Sequence, residues 1–195
     1  IADGRVLRLI EAYLKAGVME SVKSWQPTER GTPQGAVISP LLANIYLDPL
    51  DWEMARAGLE MMRYADDYVV LCHSREQALQ ALEKIQEFAN ANGLTLHPEK
   101  TQIVDASQPG GFDFLGYHFE RGMKWPRKKS LTKLKEVLRA KTRRTEGRSI
   151  KAICEDLNGL LHGWFEYFKH SKSNVFTTIE GYTRGRLRSI LRKRR

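Results

Sequence analysis

Residues 63–72 read RYADDYVVLC, and in them Asp66 and Asp67 stand side by side in a run that is otherwise extended and mostly apolar. The flanking stretches LEMMRYA and YVVLC have the composition of strands, so the segment reads as a tight hairpin joined across Asp66-Asp67. Asp-Asp is a weaker turn signal than Asn-Gly or Asp-Gly, because aspartate only tolerates positive φ. Two adjacent carboxylates also repel one another and stabilise nothing by packing. Bound divalent cations would relieve that repulsion, and ligands that are all oxygen select Mg2+ over zinc. Phosphoryl transfer by two metal ions uses carboxylates in this way, holding the ions roughly 3.5–4 Å apart. For an isolated Asp-Asp pair a solvated turn is the better account, so its meaning depends on its surroundings.

Upstream, residues 3–16 place Val6, Leu7, Ile10 and Leu14 on one helical face, with Gly17 as the stop. SWQPTERGTPQGAVISP, residues 24–40, is dense in Pro, Gly, Ser and Thr and reads as a loop. It runs into Ser39-Pro40, an expected N-cap with proline at the first helical position, and then a helix carrying Leu41, Leu42, Ile45 and Tyr46. Downstream, residues 75–92 read as a helix with Leu79, Leu82, Ile85 and Ala89 inward, stopped at Asn92-Gly93. LTLHPEKTQIVD reads as a strand, a bend at Pro98 and a second strand, and GFDFLGYHFE as another hairpin. Beyond residue 120 come helices only: one that Ser130 would cap, one that Ser149 would cap, a segment gathering Trp164, Phe165 and Phe168, and a last one starting at Asn174.

The net charge of +9 hides a division of the chain. Residues 1–120 hold 10 Lys and Arg against 17 Asp and Glu, whereas residues 121–195 hold 22 against 6. A basic region on that scale suits a phosphate backbone, where each neutralised phosphate releases a counterion. The expected boundary lies in RGMKWPRKK, residues 121–129, giving two domains, 1–120 and 121–195. At 195 residues and 42% hydrophobic content the chain can bury a core. Cys72 and Cys154 sit in no metal-ligand spacing, nor do His97, His118, His162 and His170; a reducing, intracellular compartment is expected. No apolar run approaches the roughly 18 residues that span a bilayer, so no membrane partner is expected.

YADD between two apolar strands resembles the catalytic hairpin of reverse transcriptases, and three further motifs follow that family in order. RGTPQGAVISPLLANIYLDPLD is similar to the loop and helix that cradle nucleotide and template in group II intron and related bacterial enzymes; LHPEKTQIV is similar to their next element; GFDFLGYHF is similar to their primer-gripping hairpin. LNGLLHGWFEYFKHS and YTRGRLRSILRKRR resemble the helical thumb, or maturase region, of group II intron proteins. The fold implied is α+β, a partial polymerase palm of antiparallel strands backed by helices and then a helical thumb.

The resemblance implies an RNA-directed DNA polymerase with Mg2+ as cofactor and Asp66, Asp67 and Lys100 as catalytic residues, the two aspartates holding metal. Arg30, Gln34, Gly35, Tyr64 and Ala65 would meet the incoming nucleotide and template, and Phe114, Leu115 and Gly116 the primer. These roles make chemical sense: Gly35 has no Cβ and admits close approach of a base pair, Gln34 can hydrogen-bond there, and Arg30 and Lys100 carry charge suited to a triphosphate. Lys128, Lys129, Arg143, Arg144, Arg184, Arg186, Arg188 and Arg192 are the expected RNA contacts, while Trp164 and Phe168 are expected in the core. Implied partners are intron RNA, an RNA or DNA template with primer, deoxynucleoside triphosphates and a second copy of the chain; the implied setting is a cytoplasmic ribonucleoprotein of a bacterium.

The sequence departs from the family at one point. Its third carboxylate belongs to a strand preceding the first helix, in an amino-terminal fingers and palm segment that these 195 residues do not include. Asp3, Asp48 and Asp51 are carboxylates in no matching motif. The expectation is therefore a chain with weak or no polymerase activity by itself. Two alternatives stay open: a splicing cofactor that binds structured RNA without using the aspartates, and a reverse transcriptase of the CRISPR-associated, retron or diversity-generating kind.

Overall fold

The computed structural model describes residues 2–21, 24–26, 31–32, 35–145 and 147–194. The chain forms two compact units, Ile1–Thr101 and Gln102–Arg195. Packing thus divides the chain at residue 101, whereas its charge changes sign near 120. Both units mix helices with antiparallel hairpins or consist of hairpin plus helices, the α+β composition expected.

The first unit runs α1 (Gly4–Lys15), β1 (Val18–Ser21), β2 (Ser24–Gln26), α2 (Ser39–Arg56), β3 (Glu60–Tyr64), β4 (Asp67–Leu71) and α3 (Arg75–Ala91). Asp3 caps α1 by accepting from the Arg5 amide at 2.7 Å, and α1 buries none of its side chains. Leu50 and Met54 of α2, Leu59, and Ala81 and Ile85 of α3 form the core, with Met61, Tyr68 and Val70 of the β3–β4 hairpin packed against it. Period-2 alternation explains which strand residues take part. Met61 and Arg63 share a face with their cross-strand partners Val70 and Tyr68, while Met62, Tyr64, Val69 and Asp67 share the other.

The second unit runs β5 (Phe112–Phe114), β6 (Tyr117–Glu120), β7 (Met123–Pro126), α4 (Lys128–Lys141), α5 (Ile150–Phe168) and α6 (Asn174–Arg194). Its core is Leu134 and Leu138 of α4, Ile153 and Leu157 of α5, and Ile179 and Ile190 of α6, with the inward positions mostly three or four residues apart. Ser149 caps α5 as expected, its hydroxyl accepting from the Ala152 amide at 3.1 Å. Phe168 is buried and Trp164 packs against the helical core.

Several expectations need correction. Ser24–Gln26, read as loop, pairs with Val18–Ser21 as a strand. Ser39 is inside α2 rather than its cap, with its hydroxyl 2.7 Å from that of Thr32. Ser130 does not cap α4; it donates to the Gly116 carbonyl at 3.2 Å. A serine caps only where the preceding chain turns away, and in both cases a tertiary partner holds the hydroxyl instead. Leu79 is half exposed and Ala81 takes its place in the core. The strands expected in 94–105 are irregular chain, since Pro98 removes an amide and no strand among the described residues pairs with them. A third strand, β7, extends the β5–β6 hairpin over residues 123–126, where helices alone were expected.

No helix among the described residues is long and apolar enough to cross a membrane. In the second unit Lys141 and Arg148 both reach Asp156, at 2.7 and 3.2 Å. The hydrogen bond from Lys141, then that from Arg148, holds the Asp156 carboxyl below the usual carboxylate range. A lowered carboxyl contributes its stability above the unfolded value, about 3.9, and loses it as pH falls through the lower folded one. Denaturant unfolding should therefore find Asp156→Asn less stable than the parent at pH 6, with the gap closing toward pH 3. Leu138 is fully buried, and Leu138→Ala should lower unfolding free energy by about 2–5 kcal/mol in the same assay.

Candidate active site and nucleic-acid interface

The β3–β4 ladder closes with Tyr64 opposite Asp67, so the two-residue turn is Ala65-Asp66 and Asp67 is the first residue of β4. This moves the turn one residue from the Asp66-Asp67 expected. Ala65 has φ 55° and Asp66 is not among the positive-φ residues, the φ pattern of a type II′ turn, in which glycine ordinarily occupies the first position. Asp66 therefore projects from the tip, and Asp67 belongs to the face of the hairpin that also carries Tyr64 and Met62. Both carboxylates are exposed and form no ion pair among the described residues.

Arg63, on the covered face, was no part of the sequence reading, yet it touches the turn. Its Nε donates to Asp51 Oδ1 at 2.8 Å and its Nη2 to Asp51 Oδ2, a two-pronged pair. Nη1 donates to Asn44 Oδ1 at 2.9 Å and to the Ala65 carbonyl at 2.8 Å. The hydrogen bond that Arg63 donates to Asp51 raises the Arg63 pKa further above its already high value. The available signal was positional: an arginine at an inward strand position needs a buried partner.

Among the described residues no cluster of three His, Cys, Asp or Glu is poised for metal. Asp51 is engaged by Arg63, and neither Asp3 nor Asp48 joins the pair. Asp66 and Asp67 thus fit part of a magnesium site, with the right oxygen donors and exposure and without the ligand that would bridge two ions. Lys100 is exposed in a turn after α3, its amide donating to the His97 carbonyl at 3.2 Å, and the structure records no contact between it and the aspartates. Gly35 has φ 90°, where a side chain would be strained, and open space where a Cβ would lie. Arg30 and Gln34 lie outside the described residues.

Phe114, Leu115 and Gly116 close the β5–β6 hairpin, with Leu115-Gly116 as the two-residue turn; φ is 46° and 80°. Contacts that no local pattern foretells secure it. The Tyr167 hydroxyl donates to the Leu115 carbonyl at 2.7 Å, and the Gly116 carbonyl accepts from the Arg127 amide at 2.9 Å as well as from Ser130. Tyr117 stacks on Tyr167 and tilts against Phe168, with ring centroids 5.9 and 4.9 Å apart. The turn expected to grip a primer is thereby built into the helical unit.

The expected RNA contacts separate into groups. Arg143, Arg144 and Arg186 line one surface cavity of about 530 Å3 together with Glu136 and Arg139; Arg188 and Arg192 line another of about 450 Å3 with Arg194. Lys128 and Lys129 are exposed in the first turn of α4. Arg184 pairs with Glu180 on its own helix. Arg186 is tied into the fold: it donates to the Thr142 hydroxyl at 3.0 Å and to the Thr142 and Arg139 carbonyls at 2.6 and 3.3 Å, satisfying the C-terminus of α4.

Two family models and several known proteins match this chain. Residues 3–119 match the reverse transcriptase (RNA-dependent DNA polymerase) family, and residues 131–195 match the group II intron, maturase-specific domain. The group II intron-encoded protein LtrA of Lactococcus lactis is 35% identical over 107 residues, covering 51% of this chain and 17% of its own. The putative COX1/OXI3 intron 1 protein of Saccharomyces cerevisiae is 24% identical over 98% of this chain and 29% of its own, and the retron Ec86 reverse transcriptase of Escherichia coli is 33% identical over 36% and 23%. The chain spans less than a third of the length of each. These two matches place the chain in the reverse transcriptase family, with a group II intron maturase-specific region following the polymerase one.

Proposed function

We propose that the chain is the later part of the palm and the thumb of an RNA-directed DNA polymerase, residues 1–120 and 121–195 respectively, that extends a primer on a template within an intron ribonucleoprotein. The observation that carries this is the exposed, unneutralised pair of carboxylates at a hairpin tip, in the family's order of motifs.

In this reading Asp66 and Asp67 would hold Mg2+, with Asp66 the firmer ligand, and the third carboxylate would come from a fingers and palm segment outside these residues. Bound Mg2+ would lower the cost of charge developing on the attacking and leaving oxygens. The protein's own share is positional. Tyr64 and Ala65 border the nucleotide and template, Gly35 leaves room for close approach, and Arg30, Gln34 and Lys100 supply a triphosphate with charge and hydrogen bonds. Phe114, Leu115 and Gly116 would orient the primer end on a turn that the thumb holds rigid. Lys128, Lys129, Arg143, Arg144, Arg184, Arg188 and Arg192 would contact phosphates, with Arg186 shaping the cavity that Arg143 and Arg144 line. The setting proposed is a bacterial cytoplasmic ribonucleoprotein.

The basic balance of residues 121–195 supports a second reading, a splicing cofactor that binds folded intron RNA through the helical unit. Primer extension on an RNA template with Mg2+ separates the two, run with the chain alone, with a separately expressed fingers and first palm segment, and with Asp66→Ala. The polymerase reading expects extension only with the added segment, reduced at least a hundredfold by Asp66→Ala. No extension in any mixture, alongside salt-sensitive RNA binding that Asp66→Ala leaves unchanged, would leave the splicing reading standing instead.

A further inference from the structure

An arginine on the covered face of a strand is costly unless its charge and its donors are met. Arg63 meets that demand with four hydrogen bonds, three to α2 side chains and one to the backbone of the turn. Its side chain is only 9% exposed, whereas that of Asp51 is 37% exposed. Asn44 and Asp51 lie two helical turns apart on one face of α2, so a planar fork can reach both and still leave Nη1 to bond the Ala65 carbonyl.

The bonded carbonyl belongs to Ala65, the residue with φ 55° at the corner of the turn. Glycine would take that conformation without cost; alanine needs its surroundings to impose it. The Ala65 carbonyl also joins Ala65 to Asp66, so clamping it orients the peptide that presents the first carboxylate. We propose that Arg63, held by Asn44 and Asp51, is the positioning residue of the Ala65-Asp66 turn, locking Ala65 in its left-handed conformation so that the carboxylates of Asp66 and Asp67 face one cation. The proposal rests on the reading of the pair as a metal site. It also gives Asp51 a task that competes with metal binding. Because α2 follows the Gly35 loop directly, a displacement of α2 would reach the carboxylates through Arg63.

The test uses the isotopically labelled 195-residue chain in solution. Backbone couplings and carbon shifts of Ala65 report its φ, and Mn2+ titration followed by broadening of the Asp66 and Asp67 amides reports cation affinity. In Arg63→Gln the Ala65 signals should move toward ordinary negative φ and the Mn2+ midpoint should rise roughly tenfold or more, the usual effect of losing a group that orients a metal ligand. Arg63→Lys should behave like Arg63→Gln, since an ammonium cannot span the same acceptors. Adding Ala65→Gly to Arg63→Gln should recover most of the affinity, because glycine forms the turn unaided. If Arg63 serves packing only, Arg63→Gln will melt earlier yet keep both the Ala65 signals and the Mn2+ midpoint well below its melting temperature, and the proposal falls. Should Arg63→Gln fail to fold, Asn44→Ala, at an exposed site, carries the same two readouts with smaller changes. Absence of Mn2+ broadening in the parent chain would remove the metal reading of the pair, while the Ala65 signals alone would still decide for or against the clamp.

Discussion

An antiparallel pair joined by only two residues must turn through a left-handed backbone, and that constraint governs the parts of this protein that matter for its chemistry. The β3–β4, β5–β6 and β6–β7 connections are all of this length, and the first residue of each turn is Ala65, Leu115 or Arg121, none a glycine. A left-handed residue with a Cβ costs on the order of 1 kcal/mol or more unless its surroundings compensate. Each is met by a contact from elsewhere: Arg63 bonds the Ala65 carbonyl, Tyr167 bonds the Leu115 carbonyl, and the Arg121 amide donates to the Ala106 carbonyl at 2.7 Å. Leu115 and Arg121 are each followed by a glycine at positive φ, so turn preference and these bonds act together there, whereas the Ala65-Asp66 turn has no glycine and leans on Arg63.

The same economy appears in how the chain uses charge. Arginine is abundant in the second unit, yet Arg186 closes the end of α4 and shapes a cavity whose other cations stay outward. In the first unit Arg63 plays the corresponding part, tying α2 to a strand. A planar guanidinium with five donors suits both tasks, because it can satisfy several acceptors that diverge in direction. Basic composition therefore overstates the surface free to meet nucleic acid, and the separation of the two uses is visible only in the contacts.

Much of the architecture was legible because it rests on local patterns. The helices at α1, α2, α3 and α5, the Ser149 cap, the two hairpins at YADD and FLGY and the charge reversal near residue 120 each follow from spacing or turn chemistry over a few residues. The misreadings share one cause. Ser39 and Ser130 look like caps, but Thr32 and the Gly116 carbonyl claim their hydroxyls. LTLHPEKTQIV looks like strand, but no edge among the described residues receives it. Leu79 looks like core, but the hairpin covers Ala81 instead.

The candidate site divides along the same line. Sequence by itself determined the family and the candidate residues, because paired aspartates between apolar strands and a basic helical end are properties of residue type and order. Tertiary structure alone decided the geometry: which residue occupies the turn, that Asp51 serves Arg63, and that the Leu115-Gly116 turn is built into the helical unit. These depend on acceptors and donors brought together from 12 to 52 residues apart, as in Arg63 with Asp51 and Tyr167 with Leu115. Local patterns encode the faces of helices and strands; they do not encode which distant group a buried donor will find.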